Sequence, residues 1–348
     1  MIDRSLLQIH GCLKHLRTDE GEARRRHPLD KDAWFPFSAF VRDLYQGIFP
    51  SPAYRRLHGK TQVFSHPENP YVRNRMLHSL EVASIAVAIA EILGLNTELV
   101  AAIAHAHDIG HAPFGHTGET FLSQVAGFPF RHEQFGVIVA QHIERKGQGL
   151  NLTWQTLRGI LEHSRGTGEL KGCSFPEATV VMLADKIAYT FADANDVGRC
   201  LCPLEELPRI NELLHWFGDS QCNRGQRCIT AICIESANKG FVSFNDSEEA
   251  EKFAELKKLM YEQVYFRLGQ ERLLENAYLQ CAFDRIQNLS PEIPAWVVLA
   301  LLTDHEVTSL ATCQPIEIPK CFSRLSVAEI IPHLSNLSVD YTKVDLDW

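Results

Sequence analysis

The chain of 348 residues has no excess of positive charge: 34 lysines and arginines stand against 43 aspartates and glutamates, for a net charge of −9. A strongly basic surface for nucleic acid is therefore excluded as a global property, and any anion binding must be local. A transmembrane helix requires a run of about eighteen apolar residues without polar ones, and the sequence has no such run. Residues 1–15 lack the apolar core and small-residue cleavage site of a signal peptide. These absences predict a cytoplasmic protein with no membrane partner.

Paired cysteine knuckles are absent as well, although the chain has ten cysteines. No C-x-x-C pair occurs, and the five cysteines between residues 200 and 233 lack that spacing. A zinc cluster normally shows paired knuckles. Cysteines scattered along a long chain favour reduced thiols over a disulfide framework.

The residues that are present favour a helical protein. Apolar residues make up 45% and charged residues 22% of the chain, as in globular proteins with a full core. Residues 74–93 are apolar nearly all round after Glu81, which indicates a buried helix that Gly94 ends. Further helices are predicted at 37–49, 97–109, 117–126, 132–146, 153–164 and 176–197, with two more beyond 246. We expect an all-α fold with at most a short strand or hairpin, for which 228–235 is the candidate.

The stretch AHAHDIGHAPFGHTGE, residues 104–119, holds four histidines together with Asp108 and Glu119. His107 and Asp108 are adjacent, and neighbours on a helix point about 100° apart. Both can face one ion only near a helix end, which Gly110 places two residues later. Taken alone, the segment is explained equally by a metal site and by a polar helix end.

Two distant residues would complete a metal site. His78 lies near the start of the apolar helix. The alternative to a metal ligand is a core histidine whose hydrogen bonds are made within the protein. Asp185 follows a mostly apolar run, and a buried carboxylate needs a partner. Asp185, Tyr189, Asp193 and Asp196 fall within about 80° on one helix face, for which a solvated acidic face is the alternative. Two imidazoles and two carboxylates suit a first-row divalent metal, which activates water for phosphate chemistry.

These residues carry a resemblance to a known family. His78, then His107 and Asp108, then Asp185 resemble the H…HD…D signature of the HD phosphohydrolase superfamily. The deoxyguanosine triphosphate triphosphohydrolase-like family is resembled more specifically, by RRLHGKTQVF, NRMLHSLEV, HDIGHAPFGHTGE, HEQFG and LADKIAY. The later segments ELKKLMYEQVY (255–265) and LLTDHEVTSLA (301–311) extend the resemblance, which runs from about residue 40 to 312.

The resemblance implies a metal site and a reaction. One divalent ion per site would be bound by His78, His107, Asp108 and Asp185. Mn or Mg is the first expectation for this ion, and Fe, Co, Ni and Zn are further candidates. The family hydrolyses a dNTP at its α-phosphorus and releases the deoxynucleoside and triphosphate, so dGTP is expected among the substrates. The implied domain order is an N-terminal arm at 1–36, an HD phosphohydrolase core at 37–200 and a helical C-terminal part at 201–348. We expect the charged residues 11–35 to be a solvated arm.

The same resemblance assigns roles to further side chains. His116 is the expected general acid for the leaving 5′ oxygen, and Glu119 orients it. His111 would face the phosphates, and His132 is a further catalytic-site histidine. His105 has no such role and is expected in the core or behind the ligands.

Substrate-binding residues are implied on both sides of the metal. Lys186 would bind phosphate, whereas Tyr189 and Asp193 would hold the deoxyribose. Gln62 and Arg75 would lie near the sugar and the α-phosphate. Residues 54–75 also carry five cationic side chains against Glu68 alone, a local basic patch that suits a polyanion. For Arg55 and Arg56, ordinary surface charge or a subunit contact is the alternative.

One departure and several alternatives accompany this interpretation. The family usually has Y-x-x-H-D after the last ligand, whereas this chain has Ala192 before Asp193. A homo-oligomer, dimer or hexamer, and a weak contact with single-stranded nucleic acid are carried over as expectations. An HD phosphatase or phosphodiesterase acting on a monophosphate or an alarmone is the second hypothesis. A non-catalytic metal-binding regulatory module is the third.

Overall fold

Helices make up the architecture of the computed structural model, which describes residues 4–29, 38–65, 69, 71–164 and 173–348. In chain order the helices are α1 Arg4–Ile9, α2 Ala39–Arg42, α3 Pro52–Arg56, α4 Arg75–Leu93, α5 Thr97–Ala106, α6 Gly115–Ala126, α7 His132–Ile138, α8 Glu144–Gly147, α9 Trp154–Glu162, α10 Pro176–Cys200, α11 Pro208–Phe217, α12 Gln221–Lys239, α13 Glu248–Gln263, α14 Gly269–Leu289, α15 Ala295–Leu301, α16 Asp304–Thr312, α17 Ile318–Phe322 and α18 Ile331–Leu334. Over the described ranges no strand forms, and pairing is limited to the isolated bridges Arg25–Thr153 and Thr61–Asn74. The all-α prediction is confirmed.

The central helix α4 begins and ends where the sequence indicates. The Asn74 side chain accepts a hydrogen bond from the backbone N–H of Leu77 at 2.9 Å, which caps the first turn. Gly94 adopts φ +80°, the left-handed conformation that favours glycine at a helix end. By length and composition α4 could cross a membrane. In this structure it packs against α5, α10 and α12, which accounts for its apolar composition.

Helix α5 joins two hydrophobic clusters. Its Leu99 and Ile103 pack into the first cluster, which α4, α10, α12 and α13 share. Its Ala102 and Ala106 pack into the second, which includes residues of α6, α7, α9, α14, α15 and α16. The end of α5, and the His107–Asp108 pair that follows it, therefore lies between the two clusters.

The predicted strand was wrong, and the helix predicted at 132–146 is helical only to Ile143 before it breaks. Residues 228–235 are helical and belong to α12, because Cys228, Ile232 and Cys233 pack into the first cluster against the core helices. This burial outweighs the strand preference of their β-branched neighbours. The helix predicted at 132–146 ends as an α-helix at Ile138 and continues as a π-helical turn over Val139–Ile143. Arg145 and Lys146 then take φ of +52° and +58°, which breaks the helix.

The described part of the N-terminal segment is mostly exposed, as its charge suggests, but it is anchored to the core at particular residues. Leu13 is 1% exposed, and its backbone N–H donates to the carbonyl of Leu93 at 2.9 Å. The Thr18 hydroxyl donates to Glu177 on α10 at 2.7 Å. Residues 11–29 are thus anchored to the helical core at Leu13 and Thr18 while most of their side chains stay exposed, and residues 30–36 of the predicted arm lie outside the described residues. All ten cysteines are thiols without a disulfide partner, as expected.

Candidate active site

A cavity of about 210 Å³ opens between α4, α10, the loop before α6 and the segment around Tyr265. Most of the site residues predicted from the sequence line it: Gln62, Arg75, His78, Asp108, His111, His116, His132, Asp185, Lys186, Tyr189 and Asp193. His107 lies directly behind the wall and is fully buried, and Glu119 contacts two lining histidines. The structure therefore brings all the predicted site residues to one place.

The four-donor cluster of His78, His107, Asp108 and Asp185 lies at one end of this cavity. His78 Nε2 is 2.9 Å from Asp185 Oδ1. His107 Nε2 is 3.3 Å from Asp108 Oδ1 and 3.8 Å from Asp185 Oδ1. The ligand atoms of His78, His107 and Asp108 all lie within 4.8 Å of one another. Helices α4, α5 and α10 each supply part of the cluster.

The protonation of these groups fits a divalent cation. His107 Nδ1 donates to the carbonyl of Ala104 at 2.7 Å, which leaves Nε2 facing the other donors of the cluster. That buried Nε2 has no hydrogen-bond partner among the described residues. Burial alone would raise the pKa of Asp108, but His107, His111 and Arg75 hold it well below its usual range. The pKa of Asp185 is likewise lowered by His78 despite burial. Two carboxylates with lowered pKa values and two imidazoles are a metal-binding donor set.

Glu119 connects two histidines on different elements. Its Oε2 lies 3.3 Å from Nδ1 of His116, whose side chain is 76% exposed. Its Oε1 lies 2.5 Å from Nδ1 of the buried His132. Burial alone would lower the pKa of His132, yet Glu119 raises it to about 9. Glu119 thus holds His132 more closely than it holds His116, the residue that the sequence pairs with it.

His163 is a buried histidine that sequence analysis missed. Its Nε2 lies 3.2 Å from Nε2 of His132, and its Nδ1 donates to the carbonyl of Ile160 at 2.7 Å. Burial and the neighbouring His107 lower its pKa to about 3. The segment ILEHS has no motif or periodicity that marks the residue, and only the end of α9 places it here.

His111 sits on a close approach between two segments. Its ring stacks on that of His132, with centroids 3.7 Å apart. The contact requires glycine at position 110, because a Cβ there would lie 2.1 Å from the backbone nitrogen of Gly136 on α7. Burial and Arg75 lower the pKa of His111 well below its usual range.

The cationic residues near the cavity are mostly engaged internally. Arg75 donates to Asp108 at 3.0 Å and to the backbone carbonyl of Gln62 at 3.4 Å. Arg56 is buried and pairs with buried Glu144 at 2.9 Å, so the surface-charge alternative is wrong for it. Burial lowers the pKa of Lys60 to about 7. Of the basic patch, only Arg75 lines the cavity; Glu68, its one acid, lies outside the described residues.

A further part of the cavity lining is built from tyrosines and Asp193. Asp193 accepts hydrogen bonds from Arg73 at 2.6 Å and from the Tyr265 hydroxyl at 2.8 Å. Tyr261 bonds with Tyr189. Tyr261 and Tyr265 lie in the 255–265 segment that carries the resemblance, but the sequence offers no reason to give them a role. This part of the lining therefore presents ring faces and a fixed carboxylate beside the four-donor cluster.

Comparison with known proteins places the chain in a family. The HD domain family matches residues 75–190. A deoxyguanosinetriphosphate triphosphohydrolase-like protein of Caldanaerobacter subterraneus subsp. tengcongensis is 41% identical over 263 residues, which cover 75% of this chain and 74% of the relative. A protein of the same name from Clostridium perfringens strain SM101 is 36% identical over 252 residues, covering 71% and 74%. The resemblance seen in the sequence is thereby confirmed, and the chain belongs to the deoxyguanosinetriphosphate triphosphohydrolase-like family of HD-domain proteins.

Proposed function

We propose that this chain is a divalent-metal-dependent dNTP triphosphohydrolase, which splits a dNTP and water into the deoxynucleoside and triphosphate. The observation that carries the proposal is the four-donor cluster in a cavity that Tyr189 and Asp193 also line. A metal site alone would suit many phosphate hydrolases. The tyrosine-lined part of the cavity beside the metal site suits a substrate with a sugar. The relatives of the chain carry the name deoxyguanosinetriphosphate triphosphohydrolase-like protein.

His78, His107, Asp108 and Asp185 would hold the metal, which polarises a phosphoryl oxygen and lowers the pKa of bound water. Mn²⁺ or Mg²⁺ is our first expectation, with Fe, Co, Ni or Zn as further candidates. The Nδ1 atom of His107 donates to the backbone carbonyl of Ala104, which fixes the orientation of the ring. Metal-ligating histidines usually make such a contact.

The remaining side chains divide between the scissile bond and the substrate. His116 donates a proton to the 5′ oxygen as its bond to the α-phosphorus breaks, and Glu119 stabilises the charged imidazole beforehand. The oxygen of the attacking water stays with the triphosphate. His111 and His132 face the phosphates, with Lys186 and Arg75 beside them, and Gln62 lies near the sugar. Asp193 accepts from the 3′-OH, and the Tyr189 ring crowds a 2′-OH.

The wider assignment rests on the family. We expect dGTP among the substrates, a homo-oligomer that is a dimer or hexamer, and a cytoplasmic protein. A weak contact with single-stranded nucleic acid is part of the same expectation, although a net charge of −9 gives it no electrostatic support.

The test is an assay of the released phosphate species. Each of the four dNTPs and four NTPs is incubated with the chain and Mn²⁺, and triphosphate, pyrophosphate and orthophosphate are separated by ion exchange. We expect triphosphate from at least one dNTP and much less from the matching NTP. The matched control is His105→Ala, since His105 lies two residues from His107 but bonds to Tyr54 at 3.0 Å. Release of only orthophosphate or pyrophosphate from all four dNTPs would refute the proposal.

A further inference from the structure

A second cavity, of about 540 Å³, lies where the N-terminal segment meets the turn after the π-helical residues 139–143. Its lining residues are Arg26, His27, Gln141, His142, Arg145, Gly147, Gln148, Gly149 and Asn151. None of them lines the active-site cavity. These described lining residues include two arginines and two histidines but no carboxylate. The cavity is therefore locally basic in a chain whose net charge is −9.

We propose that this second cavity binds a small phosphate-bearing anion, with its phosphate group on Arg26 and Arg145. A guanidinium donates in a fork that matches phosphate oxygens. Three side-chain amides beside the arginines can hydrogen-bond the rest of such a molecule, and the cavity volume lies in the range of small-molecule sites. The site is independent of the proposed function, because it shares no residue with the active-site cavity.

Both arginines keep donors that an anion can use. Arg145 Nη2 donates to the backbone carbonyl of Gln46, which occupies one of several N–H groups of the guanidinium. Arg26 Nη2 pairs with Asp345 at 2.9 Å, and these two side chains are 33% and 54% exposed. Water screens such an exposed pair, so a phosphate can compete with Asp345 for Arg26.

The positive charge at the cavity is not cancelled by its one paired acid. Arg26 Nη1 lies 3.5 Å from Nε2 of His142. Burial lowers the pKa of His142, and Arg26 lowers it further, by more than Asp345 raises it. The imidazole therefore experiences a net positive potential, which an anion beside Arg26 and His142 would reduce.

The turn that carries Arg145 has an unusual backbone. Positive φ occurs at five of the seven residues from 145 to 151, which are Arg145, Lys146, Gly147, Gly149 and Asn151. Three of these five residues have side chains, for which the left-handed region is unfavourable. Such strain persists only where the surrounding structure enforces it, and it is concentrated at functional sites.

Specific contacts hold this turn against the N-terminal segment. The N–H of Gly149 donates to the carbonyl of Glu144 at 2.8 Å, which closes the turn. The Asn151 side chain accepts from the backbone N–H of His27 at 3.2 Å and donates to its carbonyl at 3.0 Å. The two arginine-bearing segments are thus joined before any ligand binds, which reduces the entropy lost on binding.

Gln141 adds a polar group that needs a partner. Its Nε2 donates to the backbone carbonyl of Asp345 at 3.0 Å, which fixes the orientation of the amide. Its Oε1 is buried and accepts no hydrogen bond from the residues that the structure describes. A buried acceptor without a donor costs free energy, and an N–H or O–H group of a bound molecule would satisfy it.

The alternative is that the turn serves only the fold, because its Glu144 forms the buried pair with Arg56 at 2.9 Å. The two explanations differ in whether Arg26 and Arg145 affect phosphate binding. Full-length protein is stripped with a chelator, so that phosphate held by an active-site ion does not contribute. It is then titrated by isothermal titration calorimetry with inorganic pyrophosphate, with ribose 5-phosphate and with adenosine 5′-monophosphate.

We expect at least one of these probes to bind with a Kd below about 1 mM. Arg26→Gln and Arg145→Gln should each weaken that binding by about tenfold, the effect of lost hydrogen bonds to a charged group. The control Arg324→Gln, at an exposed arginine outside the cavity lining, should leave the Kd within about twofold. Circular dichroism of each variant establishes that it is folded.

The three probes also distinguish the sources of the phosphate. Tighter binding of ribose 5-phosphate or adenosine 5′-monophosphate supports an organic phosphate whose body contacts the amides. Tighter binding of pyrophosphate supports the same site with a free inorganic phosphate as its ligand. The inference is overturned if no probe binds at concentrations up to about 10 mM, or if neither arginine variant weakens the binding that is seen.

Discussion

Glu119 Oε1 lies 2.5 Å from Nδ1 of His132, closer than the same carboxylate approaches His116. One carboxylate thus orients both a buried and an exposed imidazole. In Glu119→Gln the amide can accept from only one imidazole and brings an N–H₂ group toward the other. We expect kcat for dNTP hydrolysis at saturating Mn²⁺ to fall by about 10²-fold, measured by triphosphate release.

Glu133 provides the control for that substitution. Its carboxylate is 3.7 Å from His132 Nδ1, too far for a hydrogen bond. Glu133→Gln should change kcat by less than about threefold, as expected for a weak charge contact. Equal losses in the two variants would show that general negative charge matters and that the hydrogen bond from His132 does not.

His116 is expected to act on the substrate and not on the metal. Its side chain is 76% exposed and bonds only to Glu119 among the groups described. We expect His116→Ala to lose about 10²- to 10⁴-fold in kcat while it binds as much Mn²⁺ as the unaltered chain, measured by mass spectrometry. His215→Ala, at an exposed histidine on α11, is the control. Loss of metal together with activity would contradict the proton-donor role.

Much of the helical fold could be predicted from local sequence. The caps at Asn74 and Asn96 and the left-handed Gly94 mark α4 and α5, because these signals act within one turn. The face shared by Asp185, Tyr189 and Asp193 follows from helical geometry alone, and all three residues line the cavity. Residues 228–235 were misjudged because their environment, the packing of α12 on α4 and α10, depends on contacts distant in the chain.

The part of the site that could not be predicted depends on distant contacts as well. His163 joins His132 only because the end of α9 meets the start of α7. Arg73 belongs to the basic patch that the sequence predicts for a polyanion, yet it is buried and binds Asp193, 120 residues away. No local pattern encodes such pairs. The sequence therefore predicts which residues have side chains suited to catalysis or binding, but their contact partners depend on the tertiary structure.

Asp193 is expected to bind the sugar from a position that Arg73 and Tyr265 fix. Asp193→Asn keeps the shape but weakens acceptance from a 3′-OH. We expect KM for the preferred dNTP to rise by about tenfold, the effect of one hydrogen bond to a charged group, with bound Mn²⁺ unchanged. The check is steady-state kinetics beside metal analysis.

Asp196 offers the matched control, because its carboxylate is 3.7 Å from Arg73 Nε but does not line the cavity. Asp196→Asn should leave KM within about twofold, since the carboxylate pairs with Arg199 at 2.7 Å and Arg73, outside the cavity lining. If both variants raise KM equally, the effect belongs to Arg73 and the contact between Asp193 and the sugar is refuted.

Glu235 on α12 should make stability depend on pH at the acid end. It accepts hydrogen bonds from the Ser243 hydroxyl at 2.6 Å and from the backbone N–H of Asn245 at 2.7 Å. Burial alone would raise the pKa of Glu235, but these bonds and Lys239 lower it to about 2. A carboxyl group with a lowered pKa stabilises the fold above its unfolded value near 4.5, and that contribution is lost as the pH falls through about 2.

Glu235→Gln should therefore reduce the free energy of unfolding at pH 7 by about 1–3 kcal/mol, and the difference should shrink between pH 4.5 and 2. Urea unfolding at several pH values measures it, with Glu262→Gln as the control at an exposed site on α13 that pairs with Lys258 at 3.8 Å. A difference that stays constant down to pH 2.5 would show that the lost contacts do not depend on the charge of Glu235.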